Sequence, residues 1–446
     1  MTPRSALPPP RRVAVIGAGW AGLAAAVQAC ADGHAVTLFE MAPQAGGRAR
    51  SQAADANGER LDNGQHILIG AYTATLALMR QVGADPDALL LREPLTLVDA
   101  DGRGLRMPPG APLPAFARAL WAMRHWRLRE RAALSLAALG WLRRRFTCDA
   151  RLTVAELTAP LPTRVRQELL DPLCVAALNT PAEAASAQVF LRVLRDALFA
   201  GPGSSDLLIP RRPLAELLPE PALAWLAQHG ADLRLGRRVQ SLAPGPGGAW
   251  AVDGEPFDAV VLAASAREAA RLTAGLPAPA AAAWSAQAAA FAYEPILTAY
   301  VDAPGARLAA PMVALPESGT APAQFAFDHG QLGGLAGRFA FVVSGAAPWV
   351  ARGPEAAAAA LLDQARSALP GAAAVCLRQV VAEKRATFRC VPGLRRPPAA
   401  IAPKLIAAGD YVDGPYPATL EGAVRAGRDA AARLFNSVRS DRSPPR

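Results

Sequence analysis

The stretch VAVIGAGWAGLAAAVQACADGHAVTLFE, residues 13–40, decides the fold of this chain. Its first four residues, 13–16, are apolar and partly β-branched, and they predict a strand buried on both faces of a parallel sheet. Gly17, Gly19 and Gly22 follow with G-x-G-x-x-G spacing. The first glycine permits a tight turn, the second lets the backbone approach a pyrophosphate, and the third lets a helix pack closely on the strand. The stretch therefore predicts a phosphate-binding turn between a strand and a helix.

The rest of the stretch predicts the helix and second strand of the same unit. Residues 20–31 are rich in Ala and Leu, and the N–H groups and dipole at the start of such a helix favour an anion. Residues 36–39 predict a strand, and Glu40 follows at its carboxyl end, where a carboxylate accepts hydrogen bonds from an adenosine ribose. The pattern predicts a dinucleotide site in preference to a structural glycine turn. It leaves open whether the dinucleotide is NAD or a flavin.

Length and composition restrict the possible classes of protein. At 446 residues the chain exceeds one ordinary domain, so we expect two domains. Apolar residues make up 52% of the chain, yet no run of about eighteen uncharged apolar residues occurs, so we expect no transmembrane helix. The opening MTPRSALPPPRR lacks the apolar segment of a secretory signal. These features predict a cytoplasmic protein.

The cysteines and the net charge bear on three kinds of feature: disulfides, metal sites and anionic partners. Five scattered cysteines without a C-x-x-C pair predict reduced thiols, so we expect neither a disulfide framework nor a metal site. The net charge of +10 would suit anionic lipid or nucleic acid. The chain has no nucleic-acid-binding module, so we expect no nucleic-acid partner.

Three other segments carry local predictions. Residues 95–108 predict a β-hairpin. TPAE, residues 180–183, has the spacing of a capping box with Pro at the first helical position, which predicts that a helix starts there. Residues 405–408 predict a strand, and a closing helix is predicted from about residue 418.

Two further glycine-containing motifs lie far apart in the chain. Gly46-Gly47-Arg48 allows a close backbone approach and a charge for a phosphate, and AGDYVDGPYPATLEGAVRAG occupies residues 408–427. With the N-terminal motif, they resemble the FAD-dependent amine oxidase and phytoene desaturase superfamily. There the C-terminal Gly-Asp lies near the pyrophosphate and ribityl chain, so the resemblance implies FAD and not NAD. No cysteine follows Gly409, so we expect the flavin to be bound non-covalently.

The resemblance also implies an α/β fold. We expect a discontinuous Rossmann-like FAD-binding domain of the glutathione reductase and amine oxidase type, with an inserted α+β substrate-binding domain. The expected FAD-binding domain comprises residues 10–98, 206–272 and 400–437. The expected substrate-binding domain comprises residues 99–205 and 273–399, and the expected disordered tails are residues 1–9 and 438–446.

Finer motifs narrow the resemblance to one family. LDNGQHILIGAY (61–72), EKRATF (383–388), VPGLRRP (391–397) and GPYPATLEGAVRAGR (414–428) are similar to the hydroxysqualene dehydroxylases of bacterial hopanoid synthesis. The similarity implies an FAD-dependent enzyme that removes an allylic hydroxyl from hydroxysqualene to give squalene. Carried over motif by motif, the FAD contacts are Gly17, Gly19, Trp20, Ala21, Gly22, Glu40, Gly47, Arg48, Gly64, Val239, Gly409, Asp410, Thr419 and Leu420.

The implied chemistry sets requirements for catalytic side chains. Loss of an allylic hydroxyl needs an acid for the leaving oxygen, a dry pocket, and a hydride held over the cationic carbon, which reduced flavin supplies. The catalytic candidates are His66, Tyr411 and Asp413. The alternatives are a hydrogen-bonded structural histidine and a turn carboxylate. Asp62 is expected to fix its own turn.

The sequence motifs are also compatible with other functions. A carotenoid-type desaturase or an FAD amine oxidase would use the same fold in the oxidising direction. A non-catalytic flavoprotein would only bind isoprenoids. The chain has no second dinucleotide motif between a strand and a helix, so a reductive enzyme would need an external electron donor: a reductase, a quinol, or NADPH in transient contact.

Residues 113–146 are the candidate for contact with a membrane surface. They combine Trp121, Trp126 and Trp141 with eight arginines and one glutamate among apolar neighbours. A C30 isoprenoid substrate dissolves in lipid and not in water, so the enzyme has to take it from a membrane. The segment therefore predicts peripheral association of the protein with the inner face of the cell membrane. The alternative is a solvated helical hairpin packed on the FAD-binding domain.

Overall fold

The computed structural model describes residues 11–56 and 58–434, so the predicted disordered tails, 1–9 and 438–446, lie outside it. The strands are β1 Arg12–Ile16, β2 Ala35–Phe39, β3 Leu68–Ile69, β4 Leu90–Glu93, β5 Thr96–Val98, β6 Gly104–Arg106, β7 Leu207–Pro210, β8 Asp232–Arg234, β9 Leu242–Pro244, β10 Trp250–Val252, β11 Glu255–Phe257, β12 Ala259–Leu262, β13 Tyr293–Asp302, β14 Met312–Ala314, β15 Phe325–Asp328, β16 Arg338–Val343, β17 Cys376–Phe388, β18 Ala400–Ala402 and β19 Leu405–Ala407.

The α-helices are α1 Trp20–Ala31, α2 Thr73–Gln81, α3 Pro86–Leu89, α4 Pro112–Ala122, α5 Leu128–Arg143, α6 Val154–Thr158, α7 Thr163–Val165, α8 Asp171–Leu178, α9 Ala187–Phe199, α10 Leu214–Leu217, α11 Pro219–Gln228, α12 Ala266–Thr273, α13 Pro279–Ala289, α14 Ala347–Arg352, α15 Pro354–Ala368 and α16 Leu420–Arg433. A π-helical turn spans Arg166–Leu170, and a 3-10 turn spans Pro246–Gly248.

The N-terminal motif builds a six-stranded sheet with the order β18-β19-β12-β1-β2-β8. The five strands from β19 to β8 are parallel, and β18 is antiparallel to β19. The sheet takes strands from three separate parts of the chain, residues 12–39, 232–262 and 400–407. The predicted α/β class is confirmed, and β1 is buried between its two parallel neighbours, β12 and β2, as its apolar run requires.

The closing helix packs directly on the first one. A Cβ on Gly427 of α16 would lie 2.0 Å from the carbonyl oxygen of Ala21 in α1, so only glycine allows this approach. Both helices contribute to one apolar cluster with the sheet, through side chains such as Leu23 and Val424. The C-terminal helix is therefore held against the N-terminal nucleotide motif.

A second, antiparallel sheet with the order β14-β15-β16-β13-β17 comes from residues 312–343 together with β13 and β17. Alternate residues of β13 face opposite sides. Ile296 and Tyr300 join the apolar cluster of α4 to α9, and Leu297 and Val301 join the cluster of α14 and α15. The helical segment 112–199 thus covers one face of this sheet. The domain boundaries given above stay a prediction.

The helix predicted to start at residues 180–183 begins later. α9 starts at Ala187, and its N-cap is Ser186, whose hydroxyl accepts a hydrogen bond from the N–H of Val189 at 3.4 Å. The hydroxyl of Thr180 instead donates to the carbonyl of Leu178 and accepts from the N–H of Cys390. The capping-box prediction is wrong because tertiary partners occupy the threonine side chain.

The 95–108 hairpin is confirmed by the pairing of β5 with β6. Residues 113–146 form α4 and α5, and no helix in the described ranges is long and apolar enough to span a membrane. Trp126 is 1% exposed, and its indole N–H donates to Glu168 at 2.7 Å. The assignment of Trp126 to a membrane contact is therefore wrong, because its ring lies in the core beneath the two helices.

Candidate functional site

The turn between β1 and α1 requires glycine. Gly17 has a φ of +106°, and a Cβ there would lie 2.7 Å from the carbonyl oxygen of Ala263. A Cβ on Gly22 would lie 1.7 Å from the carbonyl oxygen of Gly17. Helix α1 then starts after Gly19 without a side-chain cap. The N–H groups of its first turn are therefore available to an anion.

Glu40 lies at the end of β2, and its side chain supports this turn. It accepts a hydrogen bond from the N–H of Ala18 at 2.7 Å and another from the N–H of Ala42 at 2.8 Å, one at each carboxylate oxygen. Each oxygen has a further lone pair, so the carboxylate can also accept ribose hydroxyl groups. Glu40 thus both shapes the glycine turn and presents an acceptor beside it.

The second glycine motif touches the first. The N–H of Gly46 donates to the carbonyl of Ala18 at 2.8 Å, and Gly46 and Gly47 have φ values of +112° and +62°. A Cβ on Gly47 would lie 3.1 Å from the Cα of Gly19. Two backbone segments without side chains therefore meet here, and a side chain on Gly47 would force them apart.

Arg48 joins the N-terminal motifs to the C-terminal one. Its guanidinium forms an ion pair with Asp410 at 2.5 Å and donates to the carbonyl of Ala386 at 2.9 Å. The carboxylate of Asp410 is buried, and the arginine side chain is partly exposed. Three motifs spread over the chain from Gly17 to Asp410 therefore form one site.

The backbone of the C-terminal motif folds back onto its own turn. The N–H of Ala418 donates to the carbonyl of Asp410 at 3.3 Å, and Ala418 has a φ of +56°, which is strained for a residue with a Cβ. Thr419 then caps α16 by accepting a hydrogen bond from the N–H of Gly422 at 2.9 Å. Leu420 is the first residue of the helix. The start of α16 is therefore held close to Gly409 and Asp410.

Glu421 anchors the first turn of α16 and is fully buried. Its carboxylate accepts hydrogen bonds from the N–H groups of Ala74 and Thr75, from the hydroxyl of Thr75, and from Arg425. All four distances lie between 2.7 and 3.0 Å. This carboxylate fixes α16 against the start of α2.

His66 and Thr298 form a small polar region beside Gly64. The Nδ1–H of His66 donates to the carbonyl of Gly64 at 2.9 Å, which leaves Nε2 as the free ring nitrogen. Burial lowers the pKa of the His66 imidazole below its usual value, so the ring is neutral at pH 7. A Cβ on Gly64 would lie 3.5 Å from the hydroxyl oxygen of Thr298, which is buried and has no hydrogen-bond partner among the described residues.

Tyr411 and Asp413 have contrasting surroundings. Tyr411 is buried against the rings of Trp284 and Phe291, and burial raises the pKa of its phenol well above the usual value. Its hydroxyl has no partner in the described part of the chain. Asp413 is 74% exposed and forms a 3.5 Å ion pair with Arg396. The structure therefore brings Tyr411, but not the Asp413 carboxylate, into the interior next to Asp410.

The remaining residues of the expected cofactor site also have defined positions. Trp20 is buried, and its indole N–H donates to the carbonyl of Ala49 at 2.9 Å. Ala21 packs under α16 through the contact described above. Val239 is buried, and its carbonyl accepts a 2.6 Å hydrogen bond from Arg271. Each of these residues is therefore held by a contact with a distant part of the chain.

Asp62 makes wider contacts than a turn residue would need. Its Oδ1 accepts hydrogen bonds from the hydroxyl of Ser51 at 2.6 Å and from the N–H of Leu214 at 3.0 Å. Its backbone carbonyl accepts from the hydroxyl of Tyr300 at 3.0 Å. Burial raises the pKa of the Asp62 carboxyl to about 6, even though the two hydrogen bonds to Oδ1 lower it. Asp62 thus ties the segment before Gly64 to α10 and to β13.

Sequence reasoning missed Thr298 and Glu421. Thr298 lies inside β13 with no motif around it, and its place beside Gly64 depends on how that strand pairs. Glu421 is part of the C-terminal motif, and a glutamate in the first turn of a predicted helix was a readable signal.

The donor set fits a flavin dinucleotide. Uncapped N–H groups at α1, the two touching glycine turns and the Glu40 carboxylate match a pyrophosphate with its adjoining ribose. Among the described residues, no group of three or more His, Cys, Asp or Glu side chains could hold a metal ion.

Comparison with known proteins extends this picture over the whole chain. The family model for flavin-containing amine oxidoreductases matches residues 20–435. A hydroxysqualene dehydroxylase from Rhodopseudomonas palustris is 31% identical over 451 residues, which cover 96% of this chain and all of that relative. A second hydroxysqualene dehydroxylase, from Sinorhizobium fredii, is 29% identical over 457 residues, which cover 95% and 98% of the two chains.

Solved structures agree on the fold. An oxidoreductase from Methanosarcina mazei superposes with a TM-score of 0.72 at 17% identity, covering 95% of this chain and all of the other. Cyclohexylamine oxidase from Brevibacterium oxydans superposes with a TM-score of 0.67 at 18% identity, covering 96% and 99%. The predicted amine oxidase-type fold is confirmed. The chain therefore belongs to the flavin-containing amine oxidoreductase family and, within that family, to the hydroxysqualene dehydroxylases.

Proposed function

We propose that this protein, with FAD as its cofactor, replaces the allylic hydroxyl of hydroxysqualene with hydrogen to give squalene. One hydride and one proton are consumed, and squalene, water and oxidised FAD are released. The observation that carries the proposal is the meeting of three distant motifs at Gly19, Gly47 and the Arg48–Asp410 pair. Full-length similarity to hydroxysqualene dehydroxylases supports the choice of substrate.

The residues named from the motifs are the proposed FAD contacts. The start of α1 and the Gly46-Gly47 turn would hold the pyrophosphate, and Glu40 would hold the adenosine ribose. Asp410, oriented by Arg48, and the start of α16 at Thr419 would hold the ribityl chain and flavin ring. The contacts are Gly17, Gly19, Trp20, Ala21, Gly22, Glu40, Gly47, Arg48, Gly64, Val239, Gly409, Asp410, Thr419 and Leu420. The binding is non-covalent.

The substrate hydroxyl is proposed to lie between His66 and Thr298. Thr298 has Ile296 and Tyr300 as its neighbours on the same face of β13, and these side chains belong to the apolar cluster that also contacts Ile67. A buried hydroxyl without a partner costs about 1–3 kcal/mol, which a bound hydroxyl group would recover. An apolar surface with one polar spot suits a long hydrocarbon that carries a single hydroxyl.

We assign His66 to protonation of the leaving oxygen. Its Nδ1–H bond to the carbonyl of Gly64 fixes the ring, so Nε2 is the atom that would take up and then donate the catalytic proton. Burial lowers the pKa of His66, so the protonated form is scarce at pH 7 and becomes more abundant as the pH falls. Turnover should therefore rise on the acid side of pH 7. Tyr411 stays a second proton-donor candidate, and exposure of Asp413 makes it the weakest.

Two further parts of the proposal concern the source of the electrons and the source of the substrate. We propose that electrons come from an external donor, a reductase, a quinol or transiently bound NADPH, because the chain has one dinucleotide motif. The substrate is proposed to come from lipid at the cytoplasmic side of a membrane. At ~0.8 kcal/mol for each CH₂ moved from lipid to water, a C30 chain does not leave the bilayer unaided.

The test is anaerobic incubation of the photoreduced protein with hydroxysqualene, with products identified by mass spectrometry. The expected result is stoichiometric squalene and oxidised FAD, with deuterium from deuterated flavin N5 in the product. Thr298→Val should lower turnover, while Thr273→Val, at a buried threonine that already donates to Ala269, should not. Hydroxysqualene recovered unchanged beside reduced flavin would overturn the proposal.

The same assay separates the competing functions. A desaturase or an amine oxidase would require oxidised flavin and would reduce it on adding a carotenoid precursor or an amine. A non-catalytic carrier would bind squalene without a change in the flavin spectrum. Neither is favoured, because two hydroxysqualene dehydroxylases match nearly the whole chain at 31% and 29% identity.

A further inference from the structure

Exposed apolar side chains are concentrated on two neighbouring helices. Among the residues whose side chains the structure describes, nine large apolar side chains are exposed, and six of these lie between residues 113 and 142. We call these six the leucine face: Leu113, Trp121, Leu128, Leu136, Leu139 and Leu142. A contiguous exposed apolar surface marks a contact with lipid or with another protein.

Four of the six side chains of the leucine face follow one side of α5, and Leu113 and Trp121 lie on α4. At 100° per residue, Leu128, Leu136, Leu139 and Leu142 fall within an arc of about 120°. Two of them, Leu128 and Leu136, are 66% and 70% exposed. The opposite side of α5 already packs inward through Leu134. Helix α5 is therefore apolar on both sides, and its outward side has no role in the core.

Arg131 holds α4 and α5 together as one surface. It donates to the carbonyl of Trp121 at 3.0 Å and to the carbonyl of Trp126 at 2.9 Å. Its guanidinium also lies 5.9 Å from the centre of the Trp121 ring. Arg131 and the buried Trp126 are therefore scaffold residues, and the outer surface consists of other side chains.

Charge distinguishes lipid from an apolar protein partner. Exposed arginines stand at both ends of α5: Arg124, Arg127, Arg129, Arg143, Arg144 and Arg145. The single acid in residues 113–146 is Glu130, which is 4% exposed and faces inward. Leucines flanked by arginines, with no outward acid, match a bilayer whose headgroups are anionic.

We propose that the leucine face docks the protein onto an anionic lipid bilayer, with α5 lying in the plane of the headgroups. The leucines enter the acyl boundary, and the flanking arginines contact lipid phosphates. This inference rests on the proposed function in one respect, the lipid origin of the substrate. Its observations, the exposed leucines and the arginines, are independent of that function.

The test is sedimentation with sucrose-loaded vesicles of phosphatidylcholine, with or without phosphatidylglycerol. Leu128→Ser with Leu136→Ser should lower the vesicle partition coefficient on the order of 100-fold. The matched control is Leu235→Ser with Leu335→Ser, two exposed leucines elsewhere, which should leave it unchanged. Arg129→Gln with Arg144→Gln should lower the preference for phosphatidylglycerol about 30-fold, at about 1 kcal/mol for each arginine.

Folding of each variant is verified by its flavin spectrum, and self-association by sedimentation velocity without lipid. Equal vesicle binding by the wild type and the leucine variant would overturn the proposal. A concentration-dependent dimer that the leucine variant abolishes would also overturn it, since the leucine face would then bind a second copy of this chain.

Turnover measured in micelles and in vesicles tests the docking proposal and the proposed function separately. The leucine variant should turn over hydroxysqualene in detergent micelles at the wild-type rate and lose most turnover of substrate in vesicles. Vesicle binding without turnover in either medium would overturn the function and support docking. Equal turnover by wild type and variant from vesicles would overturn docking and support the function.

Discussion

Replacing Asp62 by asparagine should stabilise the protein at neutral and alkaline pH. Burial raises the pKa of the Asp62 carboxyl to about 6 from an ordinary value of 3.8. That difference corresponds to about 3 kcal/mol of unfolding free energy, which is lost when the buried carboxylate ionises. Both hydrogen bonds, from Ser51 and Leu214, go to Oδ1, so the asparagine oxygen can accept them unchanged. The new amide N–H groups need partners, which reduces the expected gain to about 1–3 kcal/mol.

The sign of the pH dependence follows from the raised pKa. The contribution of Asp62 is fully present below the unfolded pKa of 3.8 and is lost as the pH rises through about 6. The advantage of Asp62→Asn should therefore be greatest at pH 8 and disappear near pH 4. Urea unfolding of the FAD-saturated proteins between pH 4 and 8 measures it. A variant less stable than wild type at pH 8, or a difference independent of pH, refutes the reasoning.

Three other predictions follow from the site. Glu40→Ala should weaken FAD binding by about 1.5–3 kcal/mol for each lost ribose bond, measured by fluorescence titration of the apoprotein; unchanged affinity would remove Glu40 from the site. Glu421→Gln should lower the unfolding free energy by about 1.5–3 kcal/mol, because a buried carboxylate with four donors loses its charge. Glu220→Gln, at an exposed ion pair, is the control and should change little in the same urea titration. Acid precipitation should release the flavin into the supernatant, and colour retained in the pellet would contradict non-covalent binding.

Local sequence predicted the nucleotide motif because its signals are local. The strand at 13–16, the glycine turn and Glu40 lie within one continuous stretch, and each has a short-range reason to be there. The C-terminal motif was readable through family resemblance. Arg48 was predicted to neutralise a phosphate, and its ion pair with Asp410 is visible only in the structure.

The misses share one cause, which is competition from distant partners. Thr180 has the local pattern of a helix cap, yet Leu178 and Cys390 occupy its hydroxyl. Trp126 lies in a segment whose composition is typical of a membrane contact, yet its indole N–H donates to Glu168 and its ring lies in the core. Thr298 carries no local signal, because its place depends on the pairing of β13. A pattern within a few residues cannot report contacts made across the sheet.

The pairing of Arg48 with Asp410 joins residues 362 positions apart, and this has a consequence for biosynthesis. While the ribosome is still translating residue 404, β19 is missing and β12 forms a bare edge of the parallel sheet. The hydrogen bonds from Thr75 to Glu421 are also missing, so helix α16 does not yet pack on the N-terminal motif. Such long-range assembly is slow and exposes apolar surface to aggregation. We therefore expect FAD to bind stably only after β19 and α16 have joined the N-terminal motif.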